Sequence, residues 1–137
     1  MNKNAKNNNP FNIRYNKRNN WQGQLSPVNG FCRFSTLWAG YRAFILILVS
    51  YREKGCRNIR SIIERYAPST ENDTARYIDY CCLHVFNNIY SDRRTLSYLD
   101  TLNLAIAMHR FESGFDVNLP LLKEAFHAFY NPDKLPF

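Results

Sequence analysis

Leu37, Tyr41, Phe44, Ile45 and Leu48 recur at three- and four-residue spacing, the period of a helix that buries one face. A hydroxyl at Ser35 or Thr36 caps this helix and Gly55 stops it. Its middle is apolar nearly all round, which predicts a central buried helix. A shorter helix is predicted from Asn58 to Tyr66, with Ile59, Ile62, Ile63 and Tyr66 on one face and Pro68 beyond its end. Ser69 or Thr70 is read as the cap of a third helix, with Glu71 and Asp73 in its first turn, where carboxylates suit the helix dipole. That helix continues through Tyr77, Ile78, Cys81 and Val85. After a polar stretch from Asn87 to Arg94, a fourth runs from about Thr95 to Phe111, and Gly114 ends it. Pro120 opens a fifth, from about Leu119 to Tyr130. Ahead of all five, Pro10 to Phe34 shows short apolar runs broken by Asn, Gly and Pro, a loop and hairpin region with little regular strand. Residues 1–9, rich in Asn and Lys, read as frayed. No repeat or linker interrupts the pattern. The expectation is a mainly α fold, one compact helical domain over residues 1–137 with a short irregular β-hairpin or loop region near the N-terminus.

Composition supports a packed core, since 45% of the chain is hydrophobic and ten Phe, nine Tyr and two Trp are present. No apolar run reaches the roughly 18 residues that span a bilayer. The nearest, Ala43 to Val49, lies between Arg42 and Arg52. The opening MNKNAKNNNP lacks the apolar middle of a secretory signal, so any action outside the cytoplasm is expected to use another route. Eighteen Lys and Arg against eleven Asp and Glu give a net charge of +7, which favours polyanionic partners without choosing among them. The basic residues are scattered rather than gathered on one stretch, so nucleic acid is not the expected partner. Cys32, Cys56, Cys81 and Cys82 form no CxxC pair and are read as small, mostly buried side chains, with no metal site and no cofactor implied.

Three stretches hold candidate chemistry. In AIAMHRFESGF, Ala105 to Phe115, an amphipathic helix delivers Glu112 to its last turn beside Phe111 and Phe115. Apolar neighbours and the negative end of a helix both raise a carboxyl pKa, as a general acid working near neutral pH requires. Helix-end glutamates are common, however, and by spacing alone an exposed surface residue explains Glu112 more cheaply. In NNPFNIRYNKRNNWQGQ, Asn8 to Gln24, the side chains of Asn9, Asn12, Arg14, Tyr15 and Trp21 suit a sugar groove, with amides and Arg for polar groups and rings for stacking. They equally suit a loop whose Asn side chains satisfy backbone groups. In YAPSTENDTARYI, Tyr66 to Ile78, Glu71 reads as a second carboxylate and Tyr77 as a substrate-side hydroxyl, or else as a capping turn and a core ring.

These stretches resemble known families. ESGF at a helix end resembles the catalytic Glu-Ser motif of soluble lytic transglycosylases and related lysozyme-like enzymes. That resemblance implies that Glu112 is the acid/base that attacks a glycosidic bond of the bacterial wall, with Ser113 as its matching neighbour. The second stretch, with Phe31 to Phe34 and the helix from Thr36, resembles the NNLFGIK segment of lysozyme-like glucosaminidases. It is also similar to the Asn-Pro-x-Asn-Ile-Arg opening of small phage virion and lysis-associated proteins. The third stretch is similar to an Ala-Pro-x-x-Glu-Asn-x-Thr segment of those phage proteins and to the Glu-Thr-x-x-Tyr-Val segment of lytic transglycosylases. The order differs, because lytic transglycosylases place Glu-Ser first and here it comes last, a departure that a circular permutation reconciles.

The resemblance implies a single lysozyme-like domain acting on peptidoglycan as a muramidase, lytic transglycosylase or glucosaminidase. It would need no cofactor, would act in the periplasm, at the wall or from a phage-like particle, and would be open to an inhibitor or immunity protein. A lone Glu112 would leave the muramic acid C6 hydroxyl to close the ring. A second carboxylate at Glu71, Asp73 or Asp116 would allow water or a covalent intermediate. The alternative of another class is a non-enzymatic phage structural or wall-binding protein with a degenerate lysozyme-like fold. An amidase built on Cys32 has no accompanying Cys-His motif.

Overall fold

In the computed structural model residues 6–70 and 72–131 are described. The fold is mainly α, with a short hairpin near the N-terminus: β1 (Gln24–Val28), β2 (Phe31–Phe34), then α1 (Leu37–Glu53), α2 (Ile59–Tyr66), α3 (Thr74–Phe86), α4 (Tyr98–Ser113) and α5 (Leu119–Phe129). Asn29 and Gly30, at φ 53° and 83°, form the left-handed pair that joins two antiparallel strands by a two-residue turn. The pairing is Gln24 with Phe34, Leu25 with Arg33 and Val28 with Phe31, with an irregularity between Leu25 and Val28. Pro27, which has no N–H to give a ladder, falls within it. On its other side β2 receives an extended segment, because Cys32 N donates to Ile13 O at 2.9 Å and Tyr15 N to Gly30 O at 2.9 Å.

Each helix begins at a side chain that accepts from its first turn: Thr36, Asn58, Asp73, Ser97 and Asn118 for α1 to α5. Two starts differ from the sequence expectation. Asp73, not Ser69 or Thr70, caps α3, because Ser69 and Thr70 lie in a turn and the helix starts only at Thr74. Ser97 and Asp100 close a capping box that starts α4 at Tyr98, three residues after the expected Thr95, and the helix continues to Ser113 with Gly114 as its cap.

The expectation that residues 1–9 fray is corrected for those described. Phe34 N donates to Asn7 O at 2.9 Å, Asn8 Nδ2 donates to Phe34 O at 3.1 Å, and Asn9 is fully buried. What holds this segment down is Gly40, in the second turn of α1, which lets the Asn8 carbonyl lie where a Cβ would otherwise be. Residues 1–5 lie outside the described part of the chain.

α1 is the central helix, with Ala43, Phe44, Ile45 and Leu48 buried, and α5 packs along it. α3 lies against α4 and α2 against α3. At the junction, Phe11 stacks on Phe44 with ring centres 3.6 Å apart and meets Tyr41 and His109 edge-on. The four cysteines are free thiols, with Cys32, Cys81 and Cys82 buried. Burial pushes Cys32 and Cys82 up to about 11, so they stay protonated and unreactive at neutral pH. Among the described residues no helix is long and apolar enough to cross a membrane.

Candidate active site

Glu112 sits in the last turn of α4, where the helix hands its chain to Gly114. Across from it the N-terminal segment makes a tight turn, with Asn12 N donating to Asn9 O at 3.1 Å and Asn12 in the left-handed region at φ 56°. Asparagine tolerates that conformation better than most residues. The turn aims the Asn12 side chain at the end of α4, where Nδ2 donates both to the Glu112 carbonyl at 3.0 Å and to its Oε1 at 2.8 Å. One amide therefore fixes both the backbone and the carboxyl of Glu112, across 100 residues of sequence.

The carboxyl is raised above its ordinary value, and burial is the largest cause. The Asn12 hydrogen bond, the Tyr77 hydroxyl and the Arg14 charge oppose this only in part. The rings that crowd it are Tyr66 and Tyr77, whose hydroxyls are pushed well up by their own burial and then by the Glu112 charge. Phe111 and Phe115, expected to do the desolvating, point elsewhere. Phe111 stacks on Tyr77 at 4.0 Å, and Phe115 lies partly exposed over a different cavity.

Glu112 opens onto a groove of about 960 Å³. The N-terminal segment lines one side with Asn12, Arg14, Tyr15, Lys17 and Trp21. The other side comes from α1, through Ile47, Ser50, Tyr51 and Lys54, and from Tyr66 at the end of α2. Arg14 lies over the Phe31 ring at 5.1 Å, which orients the guanidinium along the groove wall. Among the described residues that line the groove, Glu112 is the carboxylate.

No protein-family model matches the chain. Over 82 residues it is 40% identical to Protein P5 of Pseudoalteromonas phage PM2, a match that covers 55% of this chain and 50% of the phage protein. The chain thus spans about half the length of that relative.

Of the residues singled out from sequence, Asn12, Arg14, Tyr15, Trp21 and Glu112 come together in the groove. Three do not line it. Asn9 is a structural pin, its Nδ2 donating to Ile13 O and Cys32 O at 3.0 Å each while Oδ1 accepts from Ile13 N at 2.9 Å. Ser113 turns to the opposite side of α4, where Oγ donates to His109 O at 2.7 Å and accepts from Phe115 N at 3.0 Å. Tyr77 is buried in the core beside Glu112, without a hydrogen bond of full geometry. Glu71 lies outside the described residues. Asp73 is spent on the α3 cap, and Asp116 pairs with Arg110 at 3.3 Å on the exposed side of the molecule.

The α1 wall was not anticipated. Ile47, Ser50, Tyr51 and Lys54 stand at i, i+3, i+4 and i+7, one helical face. A polar and aromatic stripe on an otherwise apolar helix was the available signal.

Proposed function

We propose that the chain is a peptidoglycan-cleaving glycosidase of lysozyme-like type, with Glu112 as its general acid. The observation that carries the reading is the state of Glu112: a carboxyl raised by burial, held by Asn12, and facing a groove walled with amides, cations and aromatic rings. A carboxyl raised in this way keeps its proton closer to neutral pH than a solvated one, and so donates it to a glycosidic oxygen. Tyr15, Trp21 and Tyr51 offer faces for sugar rings, and Arg14, Lys17 and Lys54 offer charge for the wall's carboxylates.

With Glu112 as the acting carboxyl, the reaction we propose is an internal closure. Glu112 protonates the bridging oxygen, the bond from C1 to that oxygen breaks with its electron pair going to oxygen, and the ring carries positive charge. The muramic acid C6 hydroxyl then bonds to C1 and returns its proton to Glu112, leaving an anhydro sugar. The net charge of +7 would hold the protein on an anionic wall. Delivery from outside the cell, or on a phage-like particle, fits the same role, and the likeness to a phage protein supports the latter.

The test is digestion of purified sacculi, with the soluble products weighed by mass spectrometry. Wild type is expected to release anhydro-terminated disaccharide-peptides, and Glu112→Gln to release them about 10²–10⁴-fold more slowly, the range a general acid contributes. Reducing termini in place of anhydro ones would require a water-activating group opposite Glu112. Binding to sacculi without release by either protein would favour the second reading, a non-enzymatic phage structural or wall-binding protein, with which the likeness to a phage protein agrees.

A further inference from the structure

Beyond the groove, a second cleft of about 140 Å³ lies on another side of the C-terminal end of α1. Where α1 turns Tyr51 and Lys54 toward the groove, it turns Arg52 into this cleft. Arg52 is only 5% exposed, yet its Nε and Nη1 are buried with no hydrogen-bond partner among the described residues. The Tyr130 ring covers one face of the guanidinium at 4.6 Å. That cation–π contact offsets some of the lost hydration but accepts no N–H. A buried guanidinium whose donors meet no acceptor is costly to the fold, and an anion drawn in beside it relieves the cost.

The rest of the cleft agrees with an anion. Arg57 and Thr95 line it, together with Ser97 and Thr101 at the N-terminal end of α4, the positive end of that helix's dipole. The Ser97 and Thr101 hydroxyls are engaged in starting the helix, since Ser97 Oγ accepts from Asp100 N and Thr101 Oγ1 donates to Ser97 O. The donors left for a ligand are therefore the unsatisfied ones of Arg52, with Arg57 lining the cleft beside them. No Asp or Glu stands among the described lining residues. The volume is room enough for one small oxyanion.

We propose that this cleft binds a small oxyanion, a phosphate group or a carboxylate, on Arg52, with Arg57 and the start of α4 completing the field. Bound there, the anion ties the end of α1 to the start of α4 and to Tyr130 beyond α5.

The test uses the full chain in chloride buffer, titrated with sodium phosphate or sodium acetate at matched ionic strength. The side-chain Nε–H resonance of Arg52 is followed by NMR, alongside the thermal midpoint. A saturable shift of that resonance is expected, with a rise of roughly 5 °C at ten times the dissociation constant. Tighter binding of phosphate than of acetate would assign a phosphate ligand, and the reverse a carboxylate. Arg57→Gln, at a half-buried position, should keep the fold and weaken binding at least five-fold. Arg52→Gln should abolish it. An unmoved Arg52 resonance, or equal affinity in wild type and Arg57→Gln, would overturn the proposal.

Discussion

A buried carboxyl that resists ionisation has a consequence for stability as well as for catalysis. The folded chain holds the Glu112 proton to a higher pH than the unfolded chain does. Between those two values the native state binds the extra proton, so stability falls as pH rises through the window and is lowest above it. Glu112→Gln removes the charge while leaving an oxygen to accept from Asn12. It should therefore be more stable than wild type at neutral pH, by about 1.4 kcal/mol for each unit by which the carboxyl is raised. The two proteins should converge as pH falls below the ordinary carboxylate range. Urea titrations across that range measure it, and cleavage by the wild type should decline with rising pH over the same window. Equal stabilities at neutral pH would mean that Glu112 ionises freely and is not held as an acid. At this scale the sequence was only partly legible. Asn9 and Asn12 are the same residue three positions apart, yet one pins backbone to β2 and the other holds the carboxyl. The residue type does not distinguish them, because Cys32 and Glu112, the partners that tie each to the rest of the fold, come from distant parts of the chain.

At the scale of elements, periodicity carried most of the fold. The five helices lie where apolar residues recur at three and four, and four of their stop or start signals (Thr36, Asn58, Gly114, Pro120) act as the residue types suggest. The cap of α3 was missed because three other residues of capping type, Ser69, Thr70 and Asn72, precede Asp73 and the pattern alone does not rank them. Gly40 shows what periodicity hides. On an exposed helix, Gly to Ala adds up to about 1 kcal/mol of stability. In α1 the added Cβ would stand 1.9 Å from the Asn8 carbonyl oxygen, which is backbone and has no rotamer to escape into. Contact therefore reverses the sign, and Gly40→Ala should lose about 3 kcal/mol in denaturant unfolding. A neutral or stabilised variant would show that the segment from Asn7 to Asn9 does not rest on α1.

For the whole molecule, the decisive feature is that the groove joins the two ends of the sequence. Asn12 and Glu112 meet across 100 residues of sequence, and no local pattern announces such a contact. Phe11 is the residue through which the packing of the helices reaches the site. Its ring is fully buried against Phe44, Tyr41 and His109, and its carbonyl accepts the Tyr66 hydroxyl at 2.7 Å, immediately before Asn12 turns to Glu112. Phe11→Leu keeps an apolar plug but loses the stacked face, at a cost of about 1–2 kcal/mol, small against a typical domain stability of 5–15 kcal/mol. The helices should remain, and far-ultraviolet circular dichroism should be unchanged. The segment that carries Asn12, Arg14 and Tyr15 would no longer be fixed, and a displacement near 1 Å is enough to lower a catalytic rate about 100-fold. Release of wall fragments should therefore fall by at least ten-fold in a protein that is still folded. If release falls only in proportion to the unfolded fraction, the N-terminal segment is a cover over the helices, and α4 alone orients its carboxyl.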